Sequence, residues 1–292
     1  MLDAVRVAVV QYGVNDIVSA KEFWKKSAAI INEAEEKGCK LVVFPEYLTI
    51  HLLALAKPMQ HSNACIYLHG YTDEYTTRFY ELAKKTAVTI LAGTHIVEKN
   101  GLYYNTAFLF TPSGMIHKQS KIHLTPEERN MWKLASGQNL DIFITDFGSV
   151  AVLICYDIEF PEVARIVADK GVEIILCPSY TDTKAGYNRV RFCSHARAIE
   201  NQLYVVLSGI TYGLPRVPQV DTAYCQAGIF APCDYPFPSD GILTMGQANR
   251  DEILVYDLDF TLLRENREKG QVKPFFDRKI NTHMPEKTRT NG

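Results

Sequence analysis

What the chain lacks narrows its chemistry first. No two of its seven cysteines form a CxxC pair; they stand at irregular intervals, at positions 39, 65, 155, 177, 193, 225 and 233. An odd number with that spacing fits neither a disulfide framework nor a structural zinc site. No HExxH or comparable spacing links the histidines, which disfavours a metal hydrolase, and neither metal nor cofactor is expected. No apolar run approaches the roughly 18 residues that cross a bilayer. The amino-terminal MLDAVRVAVVQYG has no basic start and no small-residue cleavage site, so it does not read as a secretory signal. Charge imbalance is also missing: 31 Lys and Arg stand against 33 Asp and Glu, a net charge of −2. That balance gives no electrostatic reason for nucleic acid or a membrane as partner. Reduced thiols, a cytoplasmic location and a small-molecule partner are the expectations that remain.

What is present reads as one folded domain. Hydrophobic residues make up 47% of the 292 and charged residues 22%, the mixture of a globular chain. Strands are expected at Val5 to Val10, 41–44, 89–93, 106–110, 114–119, 150–155, 173–179, 203–209, 227–232 and 252–259. They are apolar and rich in β-branched residues. Helices are expected over Ser19 to Lys37, stopped by Gly38, and over Glu74 to Lys85, Pro161 to Lys170 and Arg189 to Asn201. Thr111-Pro112-Ser113-Gly114 is a hairpin signal. Alternating strands and helices with hairpins mixed in predict a mixed α/β fold with two sheets facing one another. The domain is expected to cover residues 1–265. From Asn266 the chain turns polar and loses its period, as an extended tail over 266–292 would.

Three strand-like segments each end in a reactive side chain. VVFPEY delivers Glu46, HKQSKIHL delivers Lys121, and AVLICYDIEFPE delivers Cys155. Carboxyl ends of strands line the crevice in α/β sheets, so adjacent strand ends can gather residues distant in sequence. A cysteine attacks a carbonyl as thiolate, which calls for a base or a field that lowers its pKa. Glu46 can take the thiol proton, give it to the departing nitrogen, and then activate water. Lys121 can place a fixed positive charge beside the oxyanion, together with the backbone amide of Tyr156. Each residue alone has a plainer reading. A cysteine in an apolar strand is ordinarily core, a glutamate after proline a solvated loop residue, and a lysine a surface charge.

Together and in this order, the three segments resemble the nitrilase (carbon–nitrogen hydrolase) superfamily, and HARAIENQLYVV at 195–206 is similar to a helix and strand of that family. The resemblance implies an α-β-β-α sandwich, with Glu46 as base, Lys121 as electrophile-stabilising lysine and Cys155 as nucleophile. It also implies a second glutamate after the lysine motif. Glu128 fits the spacing from Thr125 to Trp132 better than its alternative Glu127. Family members commonly pair helix against helix into homodimers and exchange carboxyl-terminal tails. The polar tail, with PFF at 274–276 as an apolar anchor, is compatible with such an exchange.

Other residues near these motifs have lesser claims. Asp157, Phe160, Pro161 and Glu162 are expected to shape the cysteine turn, and Arg197 with Glu200 to form a scaffold ion pair. His123 is expected to fix a hydrogen bond behind the lysine. Ser179, Tyr180 and Thr181 follow a strand end on the same rim and are substrate-pocket candidates; Asp182, Arg189 and Arg191, in the loop and helix start that follow, are expected either to bind a polar or carboxylated substrate tail or to pair with each other. Cys177 is the rival nucleophile but lacks the surrounding motif. The loops 50–71, 123–140, 181–191 and 211–240 are expected to set selectivity.

The reaction that follows is hydrolysis of a non-peptide C–N bond in a small linear amide through a cysteine thioester. N-carbamoyl-amine hydrolysis and nitrile hydrolysis use the same residues in the family. Nitrilases often carry Trp where Tyr156 stands, which favours amidase or carbamoylase. A non-catalytic binding or regulatory protein on the same scaffold is the reading from a different class.

Overall fold

The computed structural model describes residues 3–278. β1 (Ala4–Val14) is followed by α1 (Ala20–Glu36), β2 (Leu41–Val43), α2 (His61–His69), α3 (Thr72–Thr86), β3 (Thr89–Lys99), β4 (Leu102–Phe110) and β5 (Ile116–Ser120). The second half runs β6 (Phe143–Thr145), β7 (Gly148–Val152), α4 (Pro161–Asp169), β8 (Ile174–Ser179), α5 (Lys184–Asn201) and β9 (Tyr204–Tyr212). β10 (Gly228–Phe230), β11 (Ile242–Met245), β12 (Glu252–Asp259), α6 (Phe260–Lys269) and α7 (Pro274–Asp277) complete it.

The strands run in the order β5-β4-β3-β2-β1-β9-β8-β7-β6, and β12 also pairs with β1. β1 joins the halves. Its start lies parallel to β2, and its end, from Gln11 to Val14, lies parallel to Gly209–Tyr212 of β9. The sheet folds about this junction into two layers. Alternation along β1 shows the consequence. Val5, Val7 and Val9 enter a core shared with Leu41, Val43, Val150, Val152, Leu176 and Leu207 from both halves. Ala8, Val10 and Tyr12 face a second core, built with Phe23 and Ile31 of α1 and Tyr75 and Phe79 of α3. α4 and α5 pack against the outer face of the other layer, through Ala164, Val167 and Ala198 among others. The result is the four-layer α-β-β-α sandwich.

Local chemistry accounts for the helix boundaries. α1 buries Phe23, Trp24, Ser27, Ile30, Ile31 and Ala34, a three-to-four spacing that gives one apolar face. It ends at Gly38, whose φ of 75° a residue with a Cβ tolerates poorly. α5 begins five residues before the expected Arg189. The Thr183 hydroxyl caps it by accepting from the Gly186 amide at 3.1 Å, a signal the apolar pattern does not carry.

Three other expectations need correction. Residues 50–71 are no open loop: Leu48–Leu55 forms 3-10 turns with nearly every side chain buried, and α2 follows. The strand expected through Cys155 stops at Val152, and Cys155 opens a 3-10 turn that runs to Glu159. The polar stretch from Asn266 does not start as extended chain, because α6 continues to Lys269. Asn266 is fully buried, with its Oδ1 accepting from Gln202 Nε2 at 2.6 Å. PFF forms α7 and packs on its own chain, where the Phe275 amide donates to Gln202 Oε1 at 3.2 Å and the Arg267 and Arg278 guanidinium groups flank its ring. Residues 279–292 of the expected tail lie outside the described residues.

Candidate active site

Glu46, Lys121 and Cys155 follow the ends of β2, β5 and β7, strands that are not neighbours in the sheet. Adjacency along the sheet therefore does not gather them. β5 runs antiparallel to β4, β4 antiparallel to β3, and β3 parallel to β2, so β2 and β5 point the same way. Packing one layer on the other then brings the end of β7 across to them. All three residues line one cavity of about 620 Å3, a size ordinary for a small-molecule pocket.

Each approach to this cavity is held by a specific device. Glu46 precedes Tyr47, a non-glycine residue at φ 53°, a conformation that persists only where its surroundings enforce it. The Thr94 hydroxyl accepts the Tyr47 amide at 2.7 Å, and Gly93 lets the Pro45 carbonyl come close. Cys155 stands at φ 46° on a comparable elbow. Asp157, 1% exposed, ties that elbow down. Its Oδ2 accepts the Ile154 amide at 3.2 Å and the Ile122 amide at 3.4 Å. Its Oδ1 accepts the His123 amide at 2.7 Å and lies 2.9 Å from His123 Nδ1. One carboxylate thus fastens the cysteine turn to the segment that follows Lys121. At the other end of the turn Arg197 donates to the carbonyls of Ile158 and Glu159, at 3.0 and 2.9 Å, and pairs with Glu200 at 3.1 Å. His123 stacks on Phe160, with ring centroids 3.8 Å apart.

The buried charges form a closed set. Lys121 Nζ lies 2.8 Å from Glu46 Oε1 and 2.8 Å from Glu128 Oε2, and all three side chains are almost fully buried. Asn105 Nδ2 donates to both carboxylates, at 2.8 Å to Glu46 and 3.0 Å to Glu128. The Tyr47 hydroxyl donates to Glu128 Oε1 at 2.8 Å, and the Thr125 amide to its Oε2 at 2.8 Å. The Tyr180 amide donates to Glu46 Oε2 at 2.9 Å. Of the two glutamates after the lysine segment, Glu128 is the one on Lys121. The half-exposed Glu127 lines the cavity without touching Lys121, accepting from Trp132 Nε1 at 3.1 Å.

These surroundings push the two carboxylates apart. Burial works to raise both. At Glu46 it prevails over Lys121, aided by the nearby Glu128 charge, and the pKa stands above the ordinary value. At Glu128 the attraction of Lys121 and the bonds from Lys121, Thr125 and Asn105 outweigh burial, and the pKa is lowered. Burial alone would lower Lys121, yet the charges of Glu128 and Glu46 hold it firmly protonated. Of the two routes expected for a nucleophilic thiol, a neighbouring base or a field that lowers its pKa, the surroundings of Cys155 favour the base. Burial, and then the Glu46 charge, raise Cys155 well above a free thiol, against the pull of Lys121 and a hydrogen bond from Ser179. Burial thus favours the neutral thiol at Cys155 and raises the proton affinity of Glu46 in the same cavity.

Tyr180, Thr181, Asp182 and Arg189 line the cavity, and Ser179 sits behind it, buried. Cys177 is fully buried on β8 and does not line it. Asn105, Tyr47, Trp132 and Gln219 escaped the sequence reading. Asn105 could have been noticed as an amide within an otherwise apolar strand, TAFLF preceded by YYN. Nothing in the sequence marks Gln219, which reaches the cavity from the long 211–240 segment. Among the described residues no group of three or more His, Cys, Asp or Glu is arranged to hold a metal ion. No helix among them is long and apolar enough to cross a membrane. All seven cysteines are free.

Similarity to known proteins places the chain in a family of hydrolases. Residues 6–264 match the carbon–nitrogen hydrolase family, and the chain belongs to it. It is 42% identical over 275 residues to a probable hydrolase, YhcX, of Bacillus subtilis; that match covers 94% of this chain but spans 54% of the relative's length. It is 27% identical over 274 residues to the omega-amidase NIT2 of Mus musculus, covering 90% of this chain and 91% of that one. Among solved structures it resembles Nit3 of Saccharomyces cerevisiae, a member of branch 10 of the nitrilase superfamily. The TM-score there is 0.75 at 25% identity, covering 91% of this chain and 94% of the other. By family the chain is thus a carbon–nitrogen hydrolase.

Proposed function

We propose that the enzyme hydrolyses a small linear amide through a thioester on Cys155. The observation that carries this reading is the buried set of Glu46, Lys121 and Glu128 opening with Cys155 into one cavity. As sulfur adds to the carbonyl carbon, Glu46 takes the thiol proton. The oxyanion is met by the Lys121 ammonium and by the Tyr156 amide. The first hydrogen bond of the 3-10 turn runs from the Asp157 amide to Ile154, at 2.9 Å, so the Tyr156 amide lies ahead of it. Collapse of the tetrahedral intermediate breaks the C–N bond, and Glu46 returns the proton to the departing nitrogen. Ammonia or an amine leaves, and the acyl group stays on sulfur. Glu46 then removes a proton from water as its oxygen attacks the thioester, and the acid departs as the thiol is restored. Glu128 stays ionised throughout and keeps Lys121 charged and in place.

The test is ammonia release from a panel of amides, N-carbamoyl amines and nitriles by the wild type and by Cys155→Ala. The variant is expected to lose turnover of whichever class the wild type accepts; unimpaired turnover would remove Cys155 from the mechanism. Ile166, Phe192 and Ile199 stand exposed on α4 and α5 and support a pairing of two copies through these helices. A monomer by light scattering would overturn that pairing.

A further inference from the structure

We propose that the substrate carries a positively charged tail, an ammonium or guanidinium group, held at the cavity mouth by Asp182, Asp221 and Gln219. This rests on the hydrolytic reading above and names the substrate class for that site. The charges lining the cavity are unequal. Its carboxylates are Glu46, Glu127, Glu128, Glu159, Asp182 and Asp221, and its cations are Lys121 and Arg189. Both cations are already engaged: Lys121 between Glu46 and Glu128, and Arg189 at 3.6 Å from Glu159. Glu127 has the Trp132 indole at 3.1 Å and His61 at 3.4 Å, but no lysine or arginine among the described residues. Asp182 and Asp221 have no cationic partner among the described residues, and together with Glu127 they act on the same Tyr180 phenol.

Gln219 adds an independent indication. It is 3% exposed and lines the cavity. Its Nε2 donates to the Met59 carbonyl at 2.8 Å, which fixes the orientation of the amide. Its Oε1 is left as an acceptor with no donor among the described residues. A free acceptor on a largely buried side chain of the cavity wall, beside carboxylates without a cation, suits a ligand rich in N–H donors. The aromatic wall suits the same ligand. Tyr47 stacks on Trp132 with centroids 5.2 Å apart, and Tyr180 meets Tyr47 edge-on at 6.4 Å. Ring faces attract cations. A carboxylated tail would instead depend on Arg189, whose side chain is 65% exposed and already paired.

The experiment compares 6-aminohexanamide, hexanamide and adipic acid monoamide, which differ at the far end of one chain. Dissociation constants are measured by calorimetry on Cys155→Ala, which removes turnover from the readout. The amine is expected to bind roughly tenfold more tightly than the neutral amide, and the acid more weakly than either. That gap is expected to narrow between about 20 mM and about 0.3 M NaCl, as rim charges are screened. The double change Asp182→Asn, Asp221→Asn is expected to bring the ratio of amine to neutral binding toward one. Equal binding of the three, tightest binding of the acid, or no binding of the amine would overturn the proposal. Ammonia release from hexanamide by the wild type reports separately on the hydrolytic reading, so either idea can fail without the other.

Discussion

Replacing Asp157 by asparagine tests how the site is held together without removing any group that reaches the cavity. The two oxygens of Asp157 serve two pairs of donors. Oδ1 faces the His123 amide and ring, and Oδ2 faces the Ile154 and Ile122 amides. A carboxamide has one oxygen. If it keeps the shorter bonds at His123, its NH2 is turned against two backbone N–H groups that have no other use for it. Two amides then lose their acceptor in a buried place, at about 1–3 kcal/mol each. Asp157→Asn is therefore expected to lose roughly 2–5 kcal/mol of stability. Part of that loss appears as a loosened join between the cysteine turn and Lys121. A misplacement of about 1 Å can cost roughly 100-fold in rate, so kcat is expected to fall about 10–100-fold with KM little changed. Urea unfolding midpoints give the first quantity, and ammonia release against substrate concentration gives the second. A variant within twofold of wild type in kcat and unshifted in urea would refute the idea that this carboxylate couples the two halves of the site.

Two further outcomes follow from the same geometry. At Gly93 a Cβ would lie 1.9 Å from the Pro45 carbonyl, and φ is 66°; Gly93→Ala should cost about 2–4 kcal/mol and lower activity, because Pro45 carries Glu46. Thermal melting coincident with wild type would contradict that. Glu128 is held below its ordinary pKa of 4.5, so the stability it contributes is full above that value and is lost as pH falls through the folded value. Glu46, raised, acts in the opposite sense, its contribution fading as pH rises through its folded value. Glu128→Gln should flatten the acid limb of stability against pH, and the acid limb of kcat/KM should lie above 4.5, where Glu46 titrates. An acid limb of kcat/KM below that value would exclude Glu46 as the base.

The parts of the molecule that were legible are those governed by local period. β1, α1, β3, α4 and β12 were expected because apolar residues recur at spacings that one buried face demands. The elbow at Cys155 was not, since VAVLIC reads as uninterrupted strand. The turn is tied down by Asp157 and Arg197, which reach the His123 amide and the Ile158 carbonyl across long stretches of sequence. Leu48–Leu55 failed for a related reason: it is apolar at nearly every position, so periodicity cannot separate strand, helix and 3-10 turns. The triad's residue types were visible at three strand ends. Asn105 left only the faint mark of an amide in an apolar strand, and Gln219 left none, because its place on the cavity wall depends on how the long 211–240 segment folds back.

The opposed fates of Glu46 and Glu128 explain why so many neutral donors surround one lysine. Two carboxylates, one ammonium and one thiol in a buried cavity would carry a net negative charge if both acids were ionised and the thiol lost its proton. Low dielectric makes that state costly. Both oxygens of Glu128 accept from Lys121, and it has two further donors of its own, from Tyr47 and Thr125. Glu46 has the Tyr180 amide and shares the Asn105 amide. The poorer supply leaves Glu46 as the group on which a proton is least costly. In the mechanism we propose, a proton taken from Cys155 therefore goes to Glu46 and not to Glu128, and it stays beside the carbon where a leaving nitrogen needs it.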